Sequence, residues 1–320
     1  MLKKMTILAL VALFVLICAA MPASAHSLMM MSGDSIADAS ECDISDYLFP
    51  AGTTKSIIIA GGHGYEYQYV DTKNPLTLTV VAPDGTVKNI TTATKIENVT
   101  DIFANVTSPV SYQQATVTFD QDGIYYLYTF QSTTNTTSGM VTTEVSKMML
   151  FVGNGTWDNY SKNLGLPLEF DPYTRLSAVE AGGTIHGQIT SNGSPVTNIS
   201  FYAEQVNNLT TAQQKLNEIT TKYPSIGDGG DIYLIYSKRS FADNNGNFVS
   251  TVYEPGVWMY VATGEAVGNQ TYKTTFTVPV LEPLSGMNSA EKTTDTSLPG
   301  FELIAGILAV VGVILLVRRK

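Results

Sequence analysis

The chain has 320 residues and a formal net charge of −10, with its basic residues clustered only at the two ends. That balance excludes a nucleic-acid partner held through its phosphates and suits a surface that handles cations. Two cysteines and three histidines in the whole chain leave few ways to build a thiol or serine–histidine catalytic set.

The first 25 residues read as an export signal. Lys3 and Lys4 form the charged region, Ile7 to Ala20 the apolar core, and Ala23-Ser24-Ala25 the small-residue cleavage site. Cleavage after Ala25 makes His26 the first residue. An amino-terminal histidine can chelate one ion through its α-amine and its ring Nδ1. That donor pair suits nickel, copper, cobalt and zinc, with nickel and copper highest in the Irving–Williams order. Met29 to Met31 follow at once, either as the first core strand or as soft ligands. Cys18 leaves with the signal, so Cys42 is the sole mature cysteine and no internal disulfide can form. Cys42 is read either as a small packing residue or as a metal ligand.

Next come short alternating runs broken by turns. Ser56 to Ile59 is apolar and leads into Gly61-Gly62-His63-Gly64-Tyr65-Glu66, read as a loop that leaves the His63 ring uncrowded. His63 is then either a metal ligand or a turn cap. Leu76 to Val80, Ala115 to Phe119 and Ile124 to Tyr128 alternate, with turns at Pro83-Asp84-Gly85 and Asp122-Gly123, and Met148 to Val152 closes the set. This spacing predicts an antiparallel sandwich. A second set holds strands at 184–189, 199–203, 232–236, 248–253, 258–263 and 272–278. A helical pattern over Thr211 to Tyr223 interrupts it. In the first of these strands His186 shares a face with Thr184 and Gln188 and is expected to point to solvent.

Residues 284–299 are polar and read as a flexible stalk. Phe301 to Val317 is then an apolar run closed by Arg318-Arg319-Lys320, at the short end of a membrane span, with the body of the protein outside. The order Pro299-Gly300-Phe301, apolar helix, basic cluster resembles the sorting signals that archaeosortases recognise on archaeal surface proteins. That resemblance implies removal of the helix and a lipid anchor; the plain reading is a single-pass transmembrane helix. Ten Asn-X-Ser/Thr sequons, at Asn89, Asn98, Asn105, Asn135, Asn154, Asn159, Asn192, Asn198, Asn208 and Asn269, suit a glycosylated surface protein.

Five landmarks resemble a further family. They are His26 after the signal; Gly62-His63-Gly64-Tyr65-Glu66; the strand from Leu76 to the Asp84-Gly85 turn; Leu164-Gly165-Leu166-Pro167-Leu168-Glu169 with Pro172; and Asp243 to Gly246 with Phe248 and Gly256-X-Trp258. In this order they are similar to DUF4198, an extracytoplasmic family associated with nickel and cobalt uptake beside energy-coupling-factor transporters. The sequence departs at Gly64, where the family often has proline, and in the helical insertion. The resemblance implies a metal-binding accessory protein with His26 and His63 as ligands, two imidazoles and an amine around one ion. Such ligands must be deprotonated, so binding should weaken as pH falls. Glu66, Asp71, Cys42 or a methionine could complete the site.

The expected fold is therefore all-β: two immunoglobulin-like or carboxypeptidase-regulatory-like β-sandwiches over residues 26–160 and 161–283, one helical insertion, the stalk, and a C-terminal sorting signal or transmembrane helix over 300–320. The expected function is metal capture for uptake, with nickel or cobalt ahead of copper or zinc. Its expected partners are the membrane, a metal transporter and a processing enzyme, and no enzymatic activity is expected. The alternatives are a structural or adhesive glycosylated surface protein and a copper-dependent oxidative enzyme with a histidine brace.

Overall fold

The computed structural model describes residues 27–36, 43–63, 66–68, 75–101, 106–154, 162–174, 179–206, 237–252, 254–264 and 268–282, with five single positions between 214 and 222. Eighteen strands follow in chain order: β1 (Ser27–Ser32), β2 (Leu48–Phe49), β3 (Thr53–His63), β4 (Glu66–Gln68), β5 (Thr77–Val81), β6 (Val87–Thr91), β7 (Ala93–Asp101), β8 (Val106–Phe119) and β9 (Gly123–Thr134); then β10 (Val141–Val152), β11 (Glu169–Pro172), β12 (Thr184–Ser191), β13 (Ser194–Pro195), β14 (Ser200–Val206), β15 (Ser237–Phe241), β16 (Asn247–Thr251), β17 (Gly256–Thr263) and β18 (Gln270–Val280). The all-β expectation is met.

Two strands set the architecture because they are apolar on both faces. In β10, Met148, Leu150 and Val152 face one core while Met149 and Phe151 face another. In β17, Val257, Met259 and Val261 join the first core, and Trp258, Tyr260 and Ala262 the second. A strand buried on both sides reads as a continuous apolar run, which is what Met148 to Val152 and Val257 to Ala262 are. Both belong to a nine-stranded sheet of order β15-β14-β17-β18-β10-β9-β5-β6, with β2 added on β10. A five-stranded sheet (β1-β3-β8-β7, with β4 on β3) supplies the first core, and a four-stranded sheet (β11-β12-β13, with β16 on β12) the second.

The nine-stranded sheet joins early and late parts of the chain. β10 pairs in parallel with β18, Val141 opposite Gln270 through Met148 opposite Thr277, while β9 and β17 flank them antiparallel. The second core is rich in aromatics, with Phe170 edge-on to Phe248 at 5.2 Å and to Phe201 at 6.2 Å.

Strand positions differ from expectation in detail. β10 begins seven residues before Met148, and the last strand runs from Gln270 to Val280. The 232–236 run lies outside the described residues; the described strand starts at Ser237. Within Thr211 to Tyr223 only Gln214, Asn217, Glu218, Thr221 and Lys222 are described, all exposed and all in helical backbone. Residues 283–320, with the expected stalk and transmembrane helix, lie outside the described residues. Among the described residues no helix is long and apolar enough to cross a membrane.

Candidate functional site

β1 is the first described strand and is buried along its whole length. It pairs antiparallel with β3, Ser27 opposite Gly62 through Ser32 opposite Ile57. Among the described residues its other edge meets no strand. Instead Thr275 Oγ1 donates to the Leu28 carbonyl at 2.7 Å and Thr277 Oγ1 to the Met30 carbonyl at 2.9 Å. Two hydroxyls of β18 thus satisfy an edge that would otherwise leave buried acceptors unpaired. Met29, Met30 and Met31 are core residues, at most 1% exposed.

His63 is the last residue of β3, not part of a loop, which corrects the sequence reading. The strand continues through Gly61 and Gly62, and Gly62 adopts a φ of +146° that a side chain would resist. β4 then pairs back on β3, placing Glu66 directly opposite His63 and Tyr67 opposite Gly62. Gly62 therefore has Ser27 on one side and Tyr67 on the other. His26, Cys42 and Asp71 lie outside the described residues. Among the described residues no group of three His, Cys, Asp or Glu could hold a metal. His186 lies apart on β12, exposed like Thr184, with Nδ1 2.8 Å from Thr174 Oγ1.

Sequence reasoning missed the charges beneath β1. Glu144 on β10 is the register partner of Lys273 on β18, and their Oε1 and Nζ lie 3.8 Å apart. Burial pushes the Glu144 carboxyl up, against the pull of Lys273 and of the Leu28 backbone N–H. Burial also pushes Lys273 down, opposed by Glu144 and by Glu204 on β14. Two carboxylates thus face one ammonium in a buried place next to the start of β1. Glu144 Oε1 and the buried Ser27 Oγ have no hydrogen-bond partner among the described residues. The available signal was a charge of each sign inside otherwise apolar or threonine-rich strands.

A second buried charge set joins the central sheet to β11. Lys147 Nζ lies 2.8 Å from Glu169 Oε2, 3.0 Å from the Phe170 carbonyl and 3.2 Å from Asp171 Oδ1. Glu169 also accepts the backbone N–H groups of Leu164 and Leu166, at 3.1 and 3.0 Å to Oε1. The Leu164–Glu169 stretch is therefore a loop folded around its own glutamate. The asparagines of seven sequons, at 89, 98, 135, 154, 192, 198 and 269, are all exposed; Asn105, Asn159 and Asn208 lie outside the described residues.

Comparison with known proteins defines the class first. Residues 298–320 match the PGF-CTERM motif. The chain is an extracytoplasmic all-β protein, processed by a sorting enzyme and anchored at the outer face of the cell membrane. It belongs to the family described as domain of unknown function DUF4198, whose profile matches residues 23–266. No curated protein matches the sequence. Among solved structures it is similar to a bacterial ice-binding adhesin (12% identity, 80% of this chain and 64% of that one, TM-score 0.23). It is also similar to Salmonella alpha-2-macroglobulin reacted with methylamine (9%, 80% and 15%, TM-score 0.23) and to a DUF4785 protein of Legionella pneumophila (10%, 78% and 55%, TM-score 0.23). The chain spans less than two thirds of the length of each.

Proposed function

We propose that this surface protein, an ectodomain of two β-sandwiches, captures a transition-metal ion, nickel or cobalt first, and delivers it to a membrane transporter of the energy-coupling-factor type. The observation that carries the proposal is the register of three strands: Ser27 opposite Gly62, and His63 opposite Glu66. In the sequence His26 precedes Ser27 and His63 follows Gly62, so the two histidines flank one paired row of β1 and β3. We assign His26, through ring and α-amine, and His63 as ligands, with Glu66 as the oxygen donor. The donor set is neutral nitrogen with one carboxylate, which fits divalent nickel or cobalt.

The test is calorimetric titration of nickel, cobalt, copper and zinc into protein with a native His26 terminus, beside protein with one residue added before it. Strong binding that the added residue weakens supports the site. Negligible binding by both ends the metal reading. A second reading, a structural or adhesive protein that displays glycans, is favoured by the exposure of the seven described sequon asparagines. Copper-dependent oxidation of a polysaccharide would be the enzymatic alternative, and its sign is activity of the copper-loaded protein on such a substrate.

A further inference from the structure

We infer that Lys147 and Asp171 are joined by an amide bond from Nζ to Cγ, formed by the folded protein itself with Glu169 as the proton acceptor. The nucleophile and the acid are already in contact, Nζ 3.2 Å from Asp171 Oδ1, and Glu169 Oε2 stands 2.8 Å from the same Nζ. Lys147 and Glu169 side chains are fully buried and that of Asp171 is 5% exposed. The ammonium lies 5.7 Å from the centre of the Tyr126 ring and 5.8 Å from that of Phe276. An apolar, aromatic-walled place penalises buried ions, and forming the amide removes both charges from it.

Further features support the reaction. Burial above all, with Glu169, pushes the Asp171 carboxyl up, against the pull of Lys147 and Thr190. Asp171 Oδ2 accepts from Asn163 Nδ2 at 2.6 Å and from Thr190 Oγ1 at 3.1 Å. These two donors are placed to stabilise the negative charge that attack at Cγ puts on Oδ2.

The step balances without a co-reactant. Glu169 takes a proton from Lys147, and the freed lone pair forms the Nζ–Cγ bond. The Cγ–Oδ1 bond then breaks and the oxygen leaves as water. Of the protons on the ammonium and the carboxyl, one stays on the amide nitrogen, two leave in the water and one remains on Glu169. The bond would tie β10 of the central sheet to β11 of the four-stranded sheet, in a chain whose expected mature form has one cysteine and so no internal disulfide.

Tryptic mapping of the full chain tests this. The peptide 163–175 carries Asp171 and no sequon, and cleavage after Lys147 requires a free amine. The expected result is that 163–175 is missing as a free peptide. It should be recovered only joined to the peptide that contains Lys147, at a mass about 18 Da below the sum, one water. Lys147→Arg should release 163–175 at its plain mass, and Glu169→Gln should release it with only the mass change of its own substitution. Wild-type protein that releases it in full yield overturns the proposal, as does a joined species whose linkage maps to Asn163.

Discussion

Ser27 on β1 is the direct partner of Gly62 on β3, and one residue further along β3 His63 is the direct partner of Glu66 on β4. If these rows hold the metal, Glu66→Gln removes a charged donor and leaves the hairpin register intact. Metal affinity should fall by roughly tenfold or more, since loss of a partner that only orients a ligand already costs about 10–100-fold. Calorimetry reads it, and an unchanged thermal melt of the metal-free protein shows that the fold is intact. Equal affinity in the variant would remove Glu66 from the site.

The free edge of β1 depends on two hydroxyls. Thr275→Val and Thr277→Val keep side-chain shape and strip the donors from the Leu28 and Met30 carbonyls. Each should cost about 1–3 kcal/mol, the penalty of a buried acceptor left unpaired. Urea unfolding of the single and double variants measures it. Losses near zero would mean that water reaches that edge.

Gly187 on β12 is pressed between β11 and β16. A methyl group there would overlap the Asp171 carbonyl and Pro172 Cα, and would come within 2.9 Å of Phe248 Cε1. Gly187→Ala should lower stability by about 1–3 kcal/mol or more through overpacking. Gly187 is also opposite Pro172, so the change pushes β11 away from Lys147. Gly139 offers a contrast: its φ is +70° but nothing lies within 4 Å, so Gly139→Ala should cost only the strained backbone, about 1–2 kcal/mol. Denaturant midpoints of the two variants should separate the mechanisms.

Asp243 closes the turn before β16. Its Oδ1 accepts the N–H groups of Asn245 and Asn247 at 2.7 and 2.8 Å, and Oδ2 the Asn247 amide at 3.0 Å. These bonds, the Asn247 side chain first, hold its carboxyl below the ordinary 3.8. A carboxyl lowered on folding contributes stability that is complete above its unfolded value and is lost as pH falls through its folded one. Wild type should therefore melt above Asp243→Asn at neutral pH, and the gap should close on acidification below pH 3.8. A gap that widens in acid would contradict the assignment.

Much of the fold was readable because many strands have one wet face. Ala115, Val117 and Phe119 are buried while Thr116 and Thr118 are exposed, so period two is visible in the residues. β10 and β17 carry no such pattern, because cores on both sides make every position apolar. Their sequence announces burial but not two separate cores. Nor does anything local mark the parallel pairing of β10 with β18, whose ladder joins residues such as Val141 and Gln270. At the site, the glycines around His63 suggested a loop. The two residues between β3 and β4 are instead the length of a tight hairpin. The Leu164–Glu169 stretch stood out as a motif. Its role was hidden, since its cationic partner Lys147 is 22 residues earlier.

The hydroxyl clamp on β1 has a consequence for the order of assembly. The first described strand is fastened by the last described one: Leu28 and Thr275 are 247 positions apart. During secretion β1 reaches the outside before β18, yet its edge is incomplete until Thr275 and Thr277 emerge. Contacts this remote in the chain form late and slow the search. A chain that stalls or is clipped before β18 would leave the Leu28 and Met30 carbonyls without their donors, so only completely exported molecules would seat β1.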